Sequence, residues 1–386
     1  MFTKYAKTLF IIIFFVLKSN GQNYGSAIKS DSEKLLLAYT TPLFKTISSG
    51  LYRNWQTTAR PKEIFEFDFK IQMTFIPIPQ SYKSFDITKL ELSHLKQIHP
   101  TNFTMPTIIG GEKNNKSVFA VFTEPSEIKF VIANGDTITQ QRPSLPINGT
   151  YFNLTPVKAI VNDVGSSIPL FQLDMSIARG TEILFRYGGF HKDYVKINAF
   201  GLAIKQNINI LLFPEDYYNY KYDDDDAKVV NCSVLFGYNT LNLNSKINLK
   251  SDTPFSKNRG NTKLDALNTE ILLSKKVSFA DFFIAAGVAF TSSKIELLGN
   301  YTLTGMPISD YNTKEIESNY KSTILANSYV LIDPVQIKTK AKEFYTTIGV
   351  QFSYLKFMNS SLSYSYGNNN QSFNLSFGFS VNALSR

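Results

Sequence analysis

Cysteine occurs once in the 386 residues, at Cys232, and histidine three times, at His94, His99 and His191. A single thiol excludes a disulfide framework and any multi-cysteine zinc or iron–sulfur centre. The pair His94 and His99 stands five apart, where a helical zinc pair would stand three or four apart, so solvated loop histidines are the expected state. Charged residues make up only 18% against 43% apolar, which excludes a disordered chain. The 40 basic side chains outnumber 31 acidic ones, but no Lys/Arg cluster or aromatic stacking array accompanies them, so nucleic acid is not an expected partner. The patterns G-x-S-x-G, H-E-x-x-H, G-x-x-x-x-G-K-[ST] and G-x-G-x-x-G are all missing. An enzyme is therefore not expected, with no catalytic residue, cofactor or metal ligand set to name.

Long apolar runs are missing as well. Beyond the N-terminus the longest candidate is Phe282–Phe290, closed by Asp281 and Thr291, far short of the ~20 residues of a membrane helix. The N-terminus itself has a charged start (Lys4, Lys7), an apolar centre Leu9–Leu17, and small residues in Ser19-Asn20-Gly21. These are the three parts of a secretory signal with cleavage before Gln22. Its loss removes three lysines and leaves a mature net charge of +6 rather than +9. An exported, cysteine-poor chain without membrane helices is either a soluble β-protein or a transmembrane β-barrel.

Periodicity separates these two. Phe65-Glu66-Phe67-Asp68-Phe69-Lys70-Ile71-Gln72-Met73-Thr74-Phe75 alternates apolar and polar over eleven residues without exception. A strand with that pattern has one apolar and one wet face. Its length suits the 9–11 residues of a tilted membrane strand better than the 5–6 of an average soluble one. Near the C-terminus, Ser361–Tyr366 and Ser372–Val381 alternate on either side of Gly367-Asn368-Asn369-Asn370, a hairpin signature. Alternation recurs at Phe171–Ile177, Ile183–Tyr187, Val230–Tyr238 and Phe344–Phe352, with Arg179-Gly180 as a turn. Further strands are expected near Thr46–Trp55, Asp193–Ala203, Leu241–Leu249, Lys263–Leu273, Phe282–Phe290 and Lys294–Leu303. The fold class is thus all-β, a transmembrane antiparallel barrel of about 12–14 strands, an even number being the bacterial rule.

Three regions depart from this pattern. Asp31–Ile47, with Asp31 or Ser32 as cap and Leu35, Leu36, Tyr39 and Leu43 on one face, predicts a short helix that Pro42 kinks or ends. Residues 77–168 form a long insert, with Ser117–Phe122 and Glu127–Ile132 as a small hairpin, and 310–334 form a second. The organisation is then a signal at 1–21, a helical segment or plug at 22–45, and a barrel at 46–386. Asp223–Asp226 lies among tyrosines; contiguous acids cannot all converge on one calcium ion, and a hydrated loop is the simpler reading.

The run Ser32-Glu33-Lys34-Leu35-Leu36-Leu37-Ala38-Tyr39-Thr40-Thr41-Pro42-Leu43-Phe44 resembles the opening of an uncharacterised family of exported outer-membrane barrel proteins of Bacteroidetes-type bacteria. Met105–Gly111 and Ala178–Tyr187 look like two further blocks of it. That family is distantly similar to hydrophobic-compound (long-chain fatty acid type) outer-membrane transporters, which implies a barrel with an N-terminal plug and a transport role.

On the wet faces, Glu66, Asp68, Lys70, Asp174 and Arg186 are the lumen-facing candidates. Lys70 on the lipid side would cost on the order of 2–4 kcal/mol, so it belongs inside. The lumen charges would either line a selective constriction or fill a closed interior. The expected function is a passive, porin-like channel or transporter for a small hydrophobic solute in the outer membrane. The alternatives are a non-conducting structural or surface-interaction barrel and a soluble secreted β-protein. The expected partners are outer-membrane lipid and that solute.

Overall fold

A strand with one apolar face is stable only if that face meets something other than water, and ten such strands here close on one another so that the apolar side points outward. The computed structural model describes residues 22–93, 95–99, 103–110, 117–122, 126–131, 137–142, 146–152, 169–192, 195–213, 229–246, 259–304, 328–332, 335–354, 357–368 and 370–382. The signal segment 1–21, His94 and Asp223–Asp226 lie outside the described residues.

The barrel strands are β1 (Glu66–Phe75), β2 (Leu170–Ala178), β3 (Thr181–Lys192), β4 (Val195–Asn207), β5 (Val230–Lys246), β6 (Arg259–Val277), β7 (Ala280–Leu298), β8 (Val335–Tyr354), β9 (Met358–Gly367) and β10 (Gln371–Asn382). Each pairs antiparallel with its chain neighbours. β1 also pairs with β10, from Glu66 opposite Asn382 to Phe75 opposite Phe373, which closes the sheet and leaves no open edge. At the end where β1 begins, β2 and β3 are joined by a two-residue turn in which Gly180 takes φ 71°, a left-handed conformation that favours glycine. A similarly tight turn joins β6 to β7. The two longest connections, 76–169 and 299–334, lie at the opposite end. They include the strand pairs Ser84–Asp86 with Thr104–Pro106 and Asn300–Thr304 with Ser328–Ile332.

The barrel has ten strands, not 12–14. Thr46–Trp55 is not a strand, because the helix continues to Tyr52. Val230–Tyr238 and the described part of the expected Leu241–Leu249 strand, up to Lys246, belong to one 17-residue strand, and Phe282–Phe290 and Lys294–Leu303 mostly to one 19-residue strand. In the insert, Ser117–Phe122 pairs with Leu95–His99 and Pro146–Phe152, while Ser126–Val131 pairs with Thr137–Arg142, so the expected small hairpin does not form.

The merged strands share a feature. On β5 the outward residues Val234, Phe236 and Tyr238 are apolar, and further along the inward residues Leu241 and Leu243 are apolar while Thr240, Asn242 and Asn244 face out. The same inversion occurs on β6, β7 and β8. Below it, outward Phe69, Phe171, Phe185, Phe236, Ile284 and Phe377 form an apolar belt round the barrel, one that lipid covers and water does not. Ten-residue β1 matches the belt, whereas the 19–20 residues of β6, β7 and β8 span roughly 60 Å of extended chain. Together with 17-residue β5, these strands rise past the belt as a half-wall, apolar inside.

Helix α1 (Gln22–Tyr52) fills that half-wall. Leu35, Leu36, Tyr39 and Leu43 are buried against Leu241, Leu243, Leu264, Ile295, Leu297 and Ile337, together with Ile87, Met105 and Ile108 of the insert. The insert is tied down by Ile108 N–H donating to the Tyr39 carbonyl at 3.0 Å and Ser93 N–H donating to Asp31 at 3.0 Å. Asp31 therefore fastens the insert and does not cap the helix, which begins nine residues earlier. Pro42 lies inside α1 and does not end it. The packing on both sides of the helix outweighs the one hydrogen bond that proline removes.

Candidate functional site in an occupied lumen

The bore of the barrel is filled by the chain that leaves α1. Asn54, at φ 57°, ends the helix in a left-handed turn, and residues 53–62 then descend through the lumen to the start of β1. Leu51 to Ala59 are all buried. Such a peptide has no helix or sheet to satisfy its carbonyls, so the wall must do so.

Inward side chains supply the donors. The Arg186 guanidinium donates to the carbonyls of Leu51 and Arg53, both at 3.1 Å, and to that of Asn54. Gln172 donates to the Trp55 carbonyl at 2.9 Å. Lys205 donates to the carbonyls of Thr58 and Arg60 at 3.3 and 3.2 Å. Asn207 and Ser233 both donate to that of Ala59, at 2.9 and 2.7 Å.

Three anchors hold the plug. Arg53 pairs with Glu343 at 2.5 Å, and Glu343 also accepts the Tyr52 hydroxyl. Trp55 stacks under Arg186, whose guanidinium carbon is 3.9 Å from the ring centroid, and its indole N–H donates to Asn268 at 3.2 Å. At the far end Lys62 reaches Asp68 at 2.9 Å and both Asp174 and Glu182 at 3.3 Å. Lys70 meets Asp174 at 2.8 Å, and Lys205 meets Glu182 at 2.6 Å. Three cations thus neutralise three carboxylates in a buried group, and the plug contributes one of them.

The Trp55 seat depends on two glycines of the wall. A Cβ on Gly201 or Gly237 would stand 2.9 Å from the indole. Because Trp55 is the chain's single tryptophan, its fluorescence reports the plug. A Gly237→Leu variant is expected to displace the ring, giving red-shifted emission and several-fold stronger acrylamide quenching than wild type. Unchanged emission in a folded variant would contradict this seat.

Of the lumen candidates, Asp68, Lys70 and Asp174 meet in the lower charge group, and Arg186 sits apart over Trp55. Glu66 lies half-buried at the rim, accepting Glu63 N–H at 2.9 Å. Sequence reasoning missed Lys62, Lys205, Glu343 and the plug role of Arg53 and Trp55. Glu182 was legible from its place beside Arg186 on the wet face of β3; Lys62 has no periodicity to mark it. Cys232 faces outward, partly exposed. Among the described residues no group of three or more His, Cys, Asp or Glu is arranged for a metal ion.

These features define a transmembrane β-barrel stopped by its own N-terminal segment. The chain belongs to a family of unknown function, DUF6588, whose model matches residues 3–381. No curated protein matches it. Among solved structures it is similar to the translocator domain of the autotransporter NalP from Neisseria meningitidis, at 10% identity and TM-score 0.28, covering 88% of this chain and 94% of that one. It is also similar to the attachment invasion locus protein Ail of Yersinia pestis, at 7% identity and TM-score 0.24, covering 83% and 100%. The outer membrane protease OmpT of Escherichia coli gives 6% identity and TM-score 0.25, covering 85% and 97%. Likenesses this low carry no argument about activity, and the barrel class rests on the closed sheet itself.

Proposed function

We propose that this protein acts in the outer membrane as a closed barrel that works by surface interaction, with no open pore. The observation that supports this reading is the satisfied plug: withdrawing residues 53–62 would strip partners from Arg186, Glu343 and the Lys62 carboxylates together. Outer-membrane barrels keep short turns on the periplasmic side and long loops outside. By that rule α1 and the insert 76–169 stand at the cell surface, where a partner can reach them. Passage of a small hydrophobic solute, which the resemblance to long-chain fatty acid type transporters implies, would require the plug to leave. Outer-membrane lipid is the remaining partner, and neither an enzymatic reaction nor a nucleic acid has a site in this reading.

Two measurements test it. Wild-type protein in planar bilayers is expected to be silent, and regular conductance steps would overturn the closed-barrel reading. Ser30 of α1 is exposed, so a Ser30→Cys variant, in a chain with Cys232→Ser, is expected to react on intact cells with a membrane-impermeant maleimide. Labelling only after lysis would reverse the orientation.

A further inference from the structure

Lysines cluster on the outer surface of the half-wall, immediately past the apolar belt. Lys263 of β6, Lys294 of β7 and Lys338 of β8 are direct cross-strand partners, Lys263 opposite Lys294 and Lys294 opposite Lys338. All three occupy outward positions, between inward neighbours such as Leu264, Ile295 and Ile337. Lys340 and Lys342 continue the row along β8 on the same face, and Arg259 lies on β6 above Lys263. With strands about 4.8 Å apart and same-face residues ~6.8 Å apart along a strand, the five lysines occupy a patch roughly 10 by 14 Å, with Arg259 about 14 Å further up β6.

Like charges directly opposite on one sheet face destabilise the pairing, so such a row calls for counter-charge. The wall provides part of it: Asp265 pairs with Lys263 at 3.1 Å and Glu296 with Lys294 at 2.6 Å. Among the described residues no carboxylate pairs with Lys338, Lys340 or Lys342. Lys342 marks the boundary of the belt, its ammonium 5.4 Å from the Phe290 ring centroid and 4.7 Å from that of Phe344. A cation held over the rim of an apolar belt lies at the level where lipid headgroups begin.

We infer that this face of β6, β7 and β8 binds the phosphorylated headgroup of an outer-leaflet lipid, with Lys294, Lys338 and Lys340 contacting its phosphates while the acyl chains lie on the belt below. The occupant follows from charge complementarity and from continuity of the patch with the lipid-covered surface. A lipid satisfies both at once, whereas a soluble anion would use the cations alone. The inference rests on the orientation proposed above, since it places the patch in the outer leaflet.

The test uses purified full-length protein in neutral detergent micelles. The probes are a bis-phosphorylated glucosamine lipid, the same lipid after phosphatase treatment, and inorganic pyrophosphate. Wild type is expected to bind the phosphorylated lipid about tenfold more tightly than the dephosphorylated one, which lacks the charge-assisted contacts, and than pyrophosphate, which has no acyl chains for the belt. The triple variant Lys294→Ser, Lys338→Ser, Lys340→Ser should lose about tenfold for that lipid alone. Lys196→Ser, an outward lysine on β4, should match wild type. These positions face water, so the barrel should keep its heat-modifiable gel mobility in every variant. Equal affinity for the two lipids, or an unchanged triple variant, would overturn the site. Pyrophosphate binding as tight as the lipid would overturn the lipid assignment. Micelle binding depends on neither conductance nor surface labelling, so its failure is distinguishable from failure of the closed-barrel reading.

Discussion

Removing residues 22–60 while keeping Lys62 is expected to turn a silent barrel into a conducting one, seen as stepwise ion currents in planar bilayers. The wall gains nothing from the plug in its own ladder: all ten strands pair through β1–β10 closure whether or not the bore is filled. Eight strands leave an interior just wide enough for side chains, so ten leave room for one further chain, and here that chain is residues 53–62. Several inward positions that face it are small: Gly201, Ala203, Gly237, Ala266 and Ser361 cannot refill the bore. Retaining Lys62 keeps the lower charge group neutral, while the deletion breaks the Arg53–Glu343 ion pair at the upper anchor. A folded, heat-modifiable deletion variant that stays silent would show that the wall closes by itself.

The second large effect is thermodynamic. Replacing Lys62 by methionine leaves Asp68, Asp174 and Glu182 facing only Lys70 and Lys205, an excess negative charge in a buried site. Breaking a buried pair from one side costs on the order of 3–5 kcal/mol. Urea unfolding in lipid vesicles should show that loss, and the double variant Lys62→Met, Asp68→Asn should recover at least half of it. The rescue is specific because Lys70–Asp174 and Lys205–Glu182 survive in the double variant. A Lys62→Met variant as stable as wild type would mean that water, not the plug, compensates these carboxylates.

Alternation over Phe65–Phe75 and over the C-terminal hairpin made the barrel legible, because lipid outside and a packed lumen inside impose opposite chemistry on odd and even residues. The excess in strand number has the same origin. Past the belt, lipid gives way to water and the lumen to an apolar core, so the pattern on β5 and β7 changes phase at Thr240 and near Thr291. One strand crossing two environments looks like two strands. The helix runs longer than its local pattern for a related reason: Pro42 and the β-branched and aromatic content of Thr46–Trp55 favour extended chain locally, while burial of Phe44, Leu51 and Tyr52 decides for helix.

The sequence by itself determined that this chain is a lipid-facing barrel with polar groups directed inward, because strand period and side-chain polarity are local properties. It placed Asp68, Lys70, Asp174 and Arg186 on wet faces for that reason. Which charges meet, and that a peptide from the N-terminus stops the bore, was decided only by the tertiary structure. Lys62 meets Asp174 112 residues away, Trp55 meets Asn268 213 away and Glu343 meets Arg53 290 away, and no local pattern encodes such pairings.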